Sequence, residues 1–102
     1  MNEDIIAVKY QACNICNALL RNINDNFKSV SFDFIKGKDI QIKIILEKRT
    51  EIEDGYIEDM ITEFTSLQES NCVPLPIVEI GDHHLPLQNL VYNHNEGNGS
   101  KI

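Results

Sequence analysis

The chain reads as an α/β protein, a central mixed sheet flanked by helices, and three observations predict it. Residues 29–34 and 40–46 alternate apolar and polar side chains with the two-residue period of a strand. From residue 50 the apolar positions recur instead with the period of a helix. Past a proline-rich break, Ile77, Val78, Glu79 and Ile80 supply one further strand.

Residues 4–10 are rich in β-branched and aromatic side chains (Ile5, Ile6, Val8, Tyr10), which favours a short buried strand. Ile5, Val8, Ala12, Ile15, Cys16, Leu19 and Ile23 also fall on one helical stripe, so a single long helix through this region is the alternative. Under the strand reading a helix follows over residues 14–24 and ends in the polar run Asn24, Asp25, Asn26. Val30, Phe32 and Phe34 then share one face of a strand. Lys36, Gly37, Lys38 and Asp39 mark a turn, and residues 40–46 return as the second arm of a hairpin, a strand-like segment additional to the simplest plan.

The second helix is the clearest element. Thr50 and Glu53 form a capping box, hydroxyl and carboxylate each serving a free N–H of the first turn. Ile52, Tyr56, Ile57, Met60, Ile61, Phe64 and Leu67 line one face, while Glu51, Glu53, Asp54, Glu58, Asp59, Glu63 and Glu69 line the other, with no base between residues 50 and 70. After residues 77–80, Gly81, Asp82, His83 and His84 read as a turn into a short strand from Leu85, with a helical turn or strand over residues 87–92. Residues 1–92 make one domain; residues 93–102 read as a flexible tail.

Net charge is −7, from sixteen acids against nine Lys and Arg, which argues against nucleic acid as a partner. No run reaches the length of a membrane span, and three cysteines without an apolar leader point to a reducing cytoplasm.

Cys13 and Cys16 are spaced C-x-x-C, and with a strand before them they sit at the first turn of a helix. There the unpaired N–H groups and the positive end of the macrodipole favour the reactive thiolate. Within a helix the same pair reads as two small core residues. Residues 5–20 (IIAVKYQACNICNALL) resemble the first strand, active-site loop and first helix of a glutaredoxin, and residues 73–85 (VPLPIVEIGDHHL) resemble that family's cis-proline, third strand and tight turn. The resemblance implies a thioredoxin-like fold and thiol–disulfide exchange on a protein or low-molecular-weight disulfide, with Cys13 as nucleophile and Cys16 as resolving thiol. It further implies that Tyr10, Val73, Pro74, Pro76 and Asp82 line the substrate site. Pro76 takes the cis place, with Pro74 as the alternative. No bound cofactor is implied, and glutathione or a reductase is the candidate electron source.

His83 and His84 lack the second chelating half of a zinc site and read as solvated turn residues. Cys72 reads as a small buried residue, a third redox thiol being the alternative. A second functional reading makes the chain a small acidic binding protein of the immunity or antitoxin kind. In it, residues 4–23 form one helix, and Glu53, Glu58, Asp59 and Glu63 cover the basic cleft of a nuclease toxin.

Overall fold

A computed structural model describes residues 2–35, 39–68, 74–81 and 84–93 (for residues 2–4, the backbone alone). The elements are α1 (Asn2–Leu19), β1 (Phe27–Phe34), β2 (Ile40–Leu46), α2 (Glu51–Ser66), β3 (Pro74–Ile80) and β4 (Asn89–Asn93).

Strand alternation builds the centre of the sheet. β1 and β2 pair antiparallel, with Phe32 opposite Ile42 and Phe34 opposite Ile40. Val30, Phe32, Ile40, Ile42, Ile44 and Leu46 therefore leave the same face, where all are fully buried. β3 joins β2 in parallel, the crossover being α2, and β4 pairs antiparallel with β1 on the opposite side. The resulting order is β3-β2-β1-β4. The α/β class, the mixed sheet and the additional strand over residues 40–46 are as expected, and at that level the thioredoxin-like description holds.

Both helices pack on the buried face and against each other, α1 toward β4 and α2 toward β3. From α1 come Ile15, Ala18 and Leu19, and from α2 come Ile57, Met60 and Phe64; with the strands they close the core. Since β3 and β4 occupy opposite edges, the chain between them must cross the other face of the sheet. It does so at residues 84–88, where the Leu87 N–H donates to Ser31 Oγ at 2.7 Å. His84 and Lys43 both reach Glu79, at 2.9 and 3.3 Å.

The two edges differ. Gly81 N–H donates to Leu46 O, so residues of its parity in β3 face β2. Pro74 and Pro76, of opposite parity, turn toward the free edge. Having no N–H, they cost the ladder nothing and remove donors from an edge where another strand would pair.

Three expectations are corrected. Residues 4–10 are helix, continuous with the rest of α1. β-propensity measures fit to a half-buried sheet surface, and it yields when tertiary packing rewards another period. The buried stripe is itself rotated from the expected one and runs through Gln11, Asn14, Ile15, Ala18 and Leu19. Second, every peptide bond among the described residues is trans, so neither Pro74 nor Pro76 is a cis-proline. Third, residues 77–80 and the segment from Leu85 do not form a hairpin; the last strand begins at Asn89 and lies at the far edge. Of the tail expected over residues 93–102, Asn93 instead ends β4, paired with Ser29, and the rest falls outside the described residues.

Candidate functional site

A strand before Cys13 would place its sulfur at a helix start. In the continuous α1, Cys13 instead lies eleven residues in, and Cys16 lies in the last turn, where the macrodipole favours cations over thiolates. Burial, and then the neighbouring Cys13, push the Cys16 thiol above its ordinary pKa. Both are free thiols on the exposed side of the helix. They are thus neither poised nor buried: the core reading of the pair fails along with the catalytic one.

The other residues of the expected dithiol site are scattered. Tyr10 sits on α1 and donates its hydroxyl to Leu67 O at 3.1 Å, tying the two helices together. Pro74 and Pro76 belong to β3, at the edge opposite the one α1 leans toward, about 14 Å away across three strand spacings. Val73, Asp82, Cys72 and His83 lie outside the described residues, while His84 is held by Glu79. Among the described residues no cluster of His, Cys, Asp or Glu is arranged to hold a metal ion.

What the fold does assemble is a contrast between two helix surfaces. The side of α1 facing away from the sheet carries Ile5 and Ile6, 55% and 65% exposed, together with Lys9, Cys13 and Cys16, and just past the end of α1 Leu20 is 77% exposed. Beside its C-terminal end an apolar groove of about 290 Å³ runs between α1 and β4, lined by Cys16, Leu19, Leu20, Ile23, Val91 and Tyr92.

The side of α2 facing away from the sheet is acidic. Glu51, Asp54, Glu58, Asp59 and Glu63 are exposed. Asp54 is paired with Arg49 at 2.6 Å, and Glu63 accepts from Asn22 Nδ2 at 3.2 Å. The side-chain carboxylates of Glu51, Glu58 and Asp59 have no hydrogen-bond or ion-pair partner among the described residues. Like charges one turn apart, Asp54 with Glu58 and Asp59 with Glu63, weaken a helix by about 0.2–0.5 kcal/mol per pair. Carboxylates near its C-terminal end oppose the macrodipole as well.

Glu53 does not belong to that surface. It is 1% exposed, the N3 member of the expected capping box, and its second oxygen closes a contact with the loop after α1. Oε1 accepts from Thr50 N–H at 2.7 Å and the Thr50 hydroxyl at 2.5 Å, while Oε2 accepts from Asn24 and Asn26 Nδ2 at 2.7 and 2.9 Å. The hydroxyl bond first, then the two amides, hold its carboxyl at about 2 rather than 4.5. The signal for this was the asparagine pair in the polar run, which reads as a mere helix end until the fold brings it to α2.

These features are those of a small α/β domain that offers surfaces to partners rather than a reaction centre assembled from the expected residues. The chain belongs to the MafI2 immunity protein family, whose model matches residues 11–96. No curated protein matches it. The family replaces the glutaredoxin-like identity, and the electron carrier built on Cys13 and Cys16, with its redox substrates and its glutathione, is abandoned. No helix among the described residues is long and apolar enough to cross a membrane.

Proposed function

We propose that this protein binds a protein toxin and blocks it, with the outer face of α2 as the docking surface. Membership of an immunity protein family over residues 11–96 carries the reading. The carboxylates of Glu51, Glu58 and Asp59 are unengaged, and Glu58 stands one turn from Asp54 and Asp59 one turn from Glu63, which supports the choice of surface. A face of like charges costs helix stability, and a complementary partner recovers that cost on binding. The toxin surface that fits is basic, as in the catalytic cleft of a nuclease, where substrate phosphates are held by cations. Covering it with carboxylates both occupies the cleft and speeds encounter.

The test is co-expression with a candidate nuclease toxin whose catalytic cleft is basic, followed by co-purification. Rescue of growth and a stable complex are expected, and association should slow as salt is raised. A toxin that kills equally well with the protein present, and does not co-purify with it, would end the proposal. If a complex forms whose rate is indifferent to salt and to charge reversal at Glu58 and Asp59, toxin binding stands but the α2 surface does not.

A further inference from the structure

The face of the sheet turned away from the helices has no part in a docking surface on α2. Val30 and Leu46 enter the core, so Ser29 and Ile45, opposite each other on β1 and β2, leave by the other face. Asn93 of β4 pairs with Ser29 and extends the row. The start of β1 and the ends of the other three strands meet the crossing segment there. Between them lies a cavity of about 480 Å³, lined by this row together with Lys28, Gly81, His84 and Pro86.

One group in that lining lacks a counterpart. Ser29 is 6% exposed, and its buried Oγ has no hydrogen-bond partner among the described residues. Two residues along the same face, Ser31 Oγ accepts from the Leu87 N–H at 2.7 Å. The crossing segment thus satisfies one serine and stops short of the other. A buried hydroxyl without a partner is a desolvation cost that folded chains seldom leave standing, and a water or a ligand is the usual answer.

The rest of the lining says what kind of ligand. Lys28 brings an ammonium group on a side chain 17% exposed, held by Glu47 at 3.1 Å. His84 brings an imidazole whose Nδ1 lies 2.9 Å from Glu79 Oε1, leaving Nε2 as its second polar atom. Asn93 adds a carboxamide. Neither Glu47 nor Glu79 lines the cavity, and no other acid does among the described residues, although the chain carries sixteen acids against nine Lys and Arg. An ammonium, a hydroxyl and a carboxamide gathered without a carboxylate suit an oxyanion. The volume falls in the range of small-molecule pockets, roughly 300–1,000 Å³, and exceeds what a bare ion needs. Ile45 offers the body of a larger molecule an apolar contact.

We propose that this cavity binds a small organic oxyanion, a carboxylic acid or a phosphate ester. Lys28 and the Ser29 hydroxyl, turned about its side-chain bond, hold the anionic group, and His84 flanks it from the crossing segment. The site does not rest on the toxin reading. Both helices pack on the opposite face, so the sheet separates the ligand from the acidic surface of α2 and the two do not compete.

Amide chemical shifts of the whole chain, followed by NMR at constant ionic strength, test this with citrate, glycerol 3-phosphate and inorganic phosphate. Saturable shifts are expected around residues 28, 29, 45, 81, 84 and 93 with citrate or with glycerol 3-phosphate, the responding probe telling carboxylate from phosphate ester. A dissociation constant on the order of 1 mM is expected, with inorganic phosphate at least tenfold weaker. Ser29→Ala and Lys28→Gln should each weaken binding at least tenfold, and Glu58→Lys should leave it within twofold. Ser29→Ala removes a hydroxyl that no described residue uses, so its melting temperature without ligand should not fall, and it carries the test if Lys28→Gln disturbs β1. No saturable shift with any probe, shifts spread over the whole surface, or binding indifferent to Ser29→Ala overturns the proposal. Inorganic phosphate binding as tightly as the organic probes would mark an adventitious ion only, and overturns it too.

Discussion

α1 and α2 are laid side by side on one face of one sheet, and their inner sides do the same work. Ile15, Ala18 and Leu19 on one, and Ile57, Met60 and Phe64 on the other, enter a common core. Their outer sides share nothing. That of α1 is aliphatic and free of acids over residues 5–19; that of α2 is acidic and free of bases from residue 51 to 66. A helix needs only a stripe of apolar residues to dock, and the rest of its circumference is left to selection. Mixed charges would have made either outer side more soluble or more stable. Segregation instead leaves a helical layer with two unlike surfaces, one free of acids and one suited to a cation-rich partner.

The largest effects should come from substitutions that do not distinguish the helices. Phe64→Ala and Ile15→Ala each empty a fully buried site, and losses of about 3–5 and 2–5 kcal/mol are expected from urea unfolding. In a domain of this size either loss approaches the whole stability. If one helix tolerated its truncation while the other did not, the shared core would have to be redrawn.

Next in size is the junction between the loop that follows α1 and the start of α2. Glu53→Gln keeps the shape but replaces the carboxylate that accepts from Thr50, Asn24 and Asn26. A drop in Tm on the order of 10 °C is expected at neutral pH. Because the folded carboxyl titrates near 2 and the unfolded one near 4.5, the native chain's advantage over the variant is complete above the unfolded value. It disappears as pH falls from 4.5 toward 2. Thermal melts of the two proteins should therefore converge through that window; a constant gap would mean that packing, not charge, sets the difference.

How much of this was legible beforehand depends on where each element's information lies. The hairpin over residues 29–46 and the capped α2 carry theirs locally, in alternation and in the Thr50–Glu53 pair, and both were read correctly. α1 carries two patterns at once. Its Ile5, Ile6 and Val8 would suit a strand, and only packing against α2 and β4 selects the helix. With the strand went the dithiol, because C-x-x-C has chemistry at a helix start and none three turns in. β4 was misplaced because pairing across the whole sheet leaves no trace in residues 85–92. The acidic surface was legible, but Glu53 was counted in it; nothing along the chain reveals that Asn24 and Asn26 come to meet it.

A sharper separation of the two outer sides comes from charge reversal on α2. Glu58→Lys with Asp59→Lys should weaken toxin binding at least tenfold, mainly through association rate, and the loss should shrink as salt rises. The same change relieves the repulsions with Asp54 and Glu63, so the folded protein should gain about 0.5 kcal/mol even as protection is lost. Unfolding curves and association rates measured on one preparation check both signs. A variant that loses binding and stability together would be reporting damage to α2 rather than a surface sacrificed for recognition.

The smallest effect is expected where the motif pointed first. Cys13→Ser with Cys16→Ser alters two exposed side chains by one atom each, on a side of α1 that the core does not use. Stability should stay within about 0.5 kcal/mol of the parent, and toxin neutralisation should be unchanged. Growth rescue and urea midpoints measure the two. Loss of neutralisation in this variant would return the thiols to the mechanism, and would do so on a helix whose geometry offers them no activation.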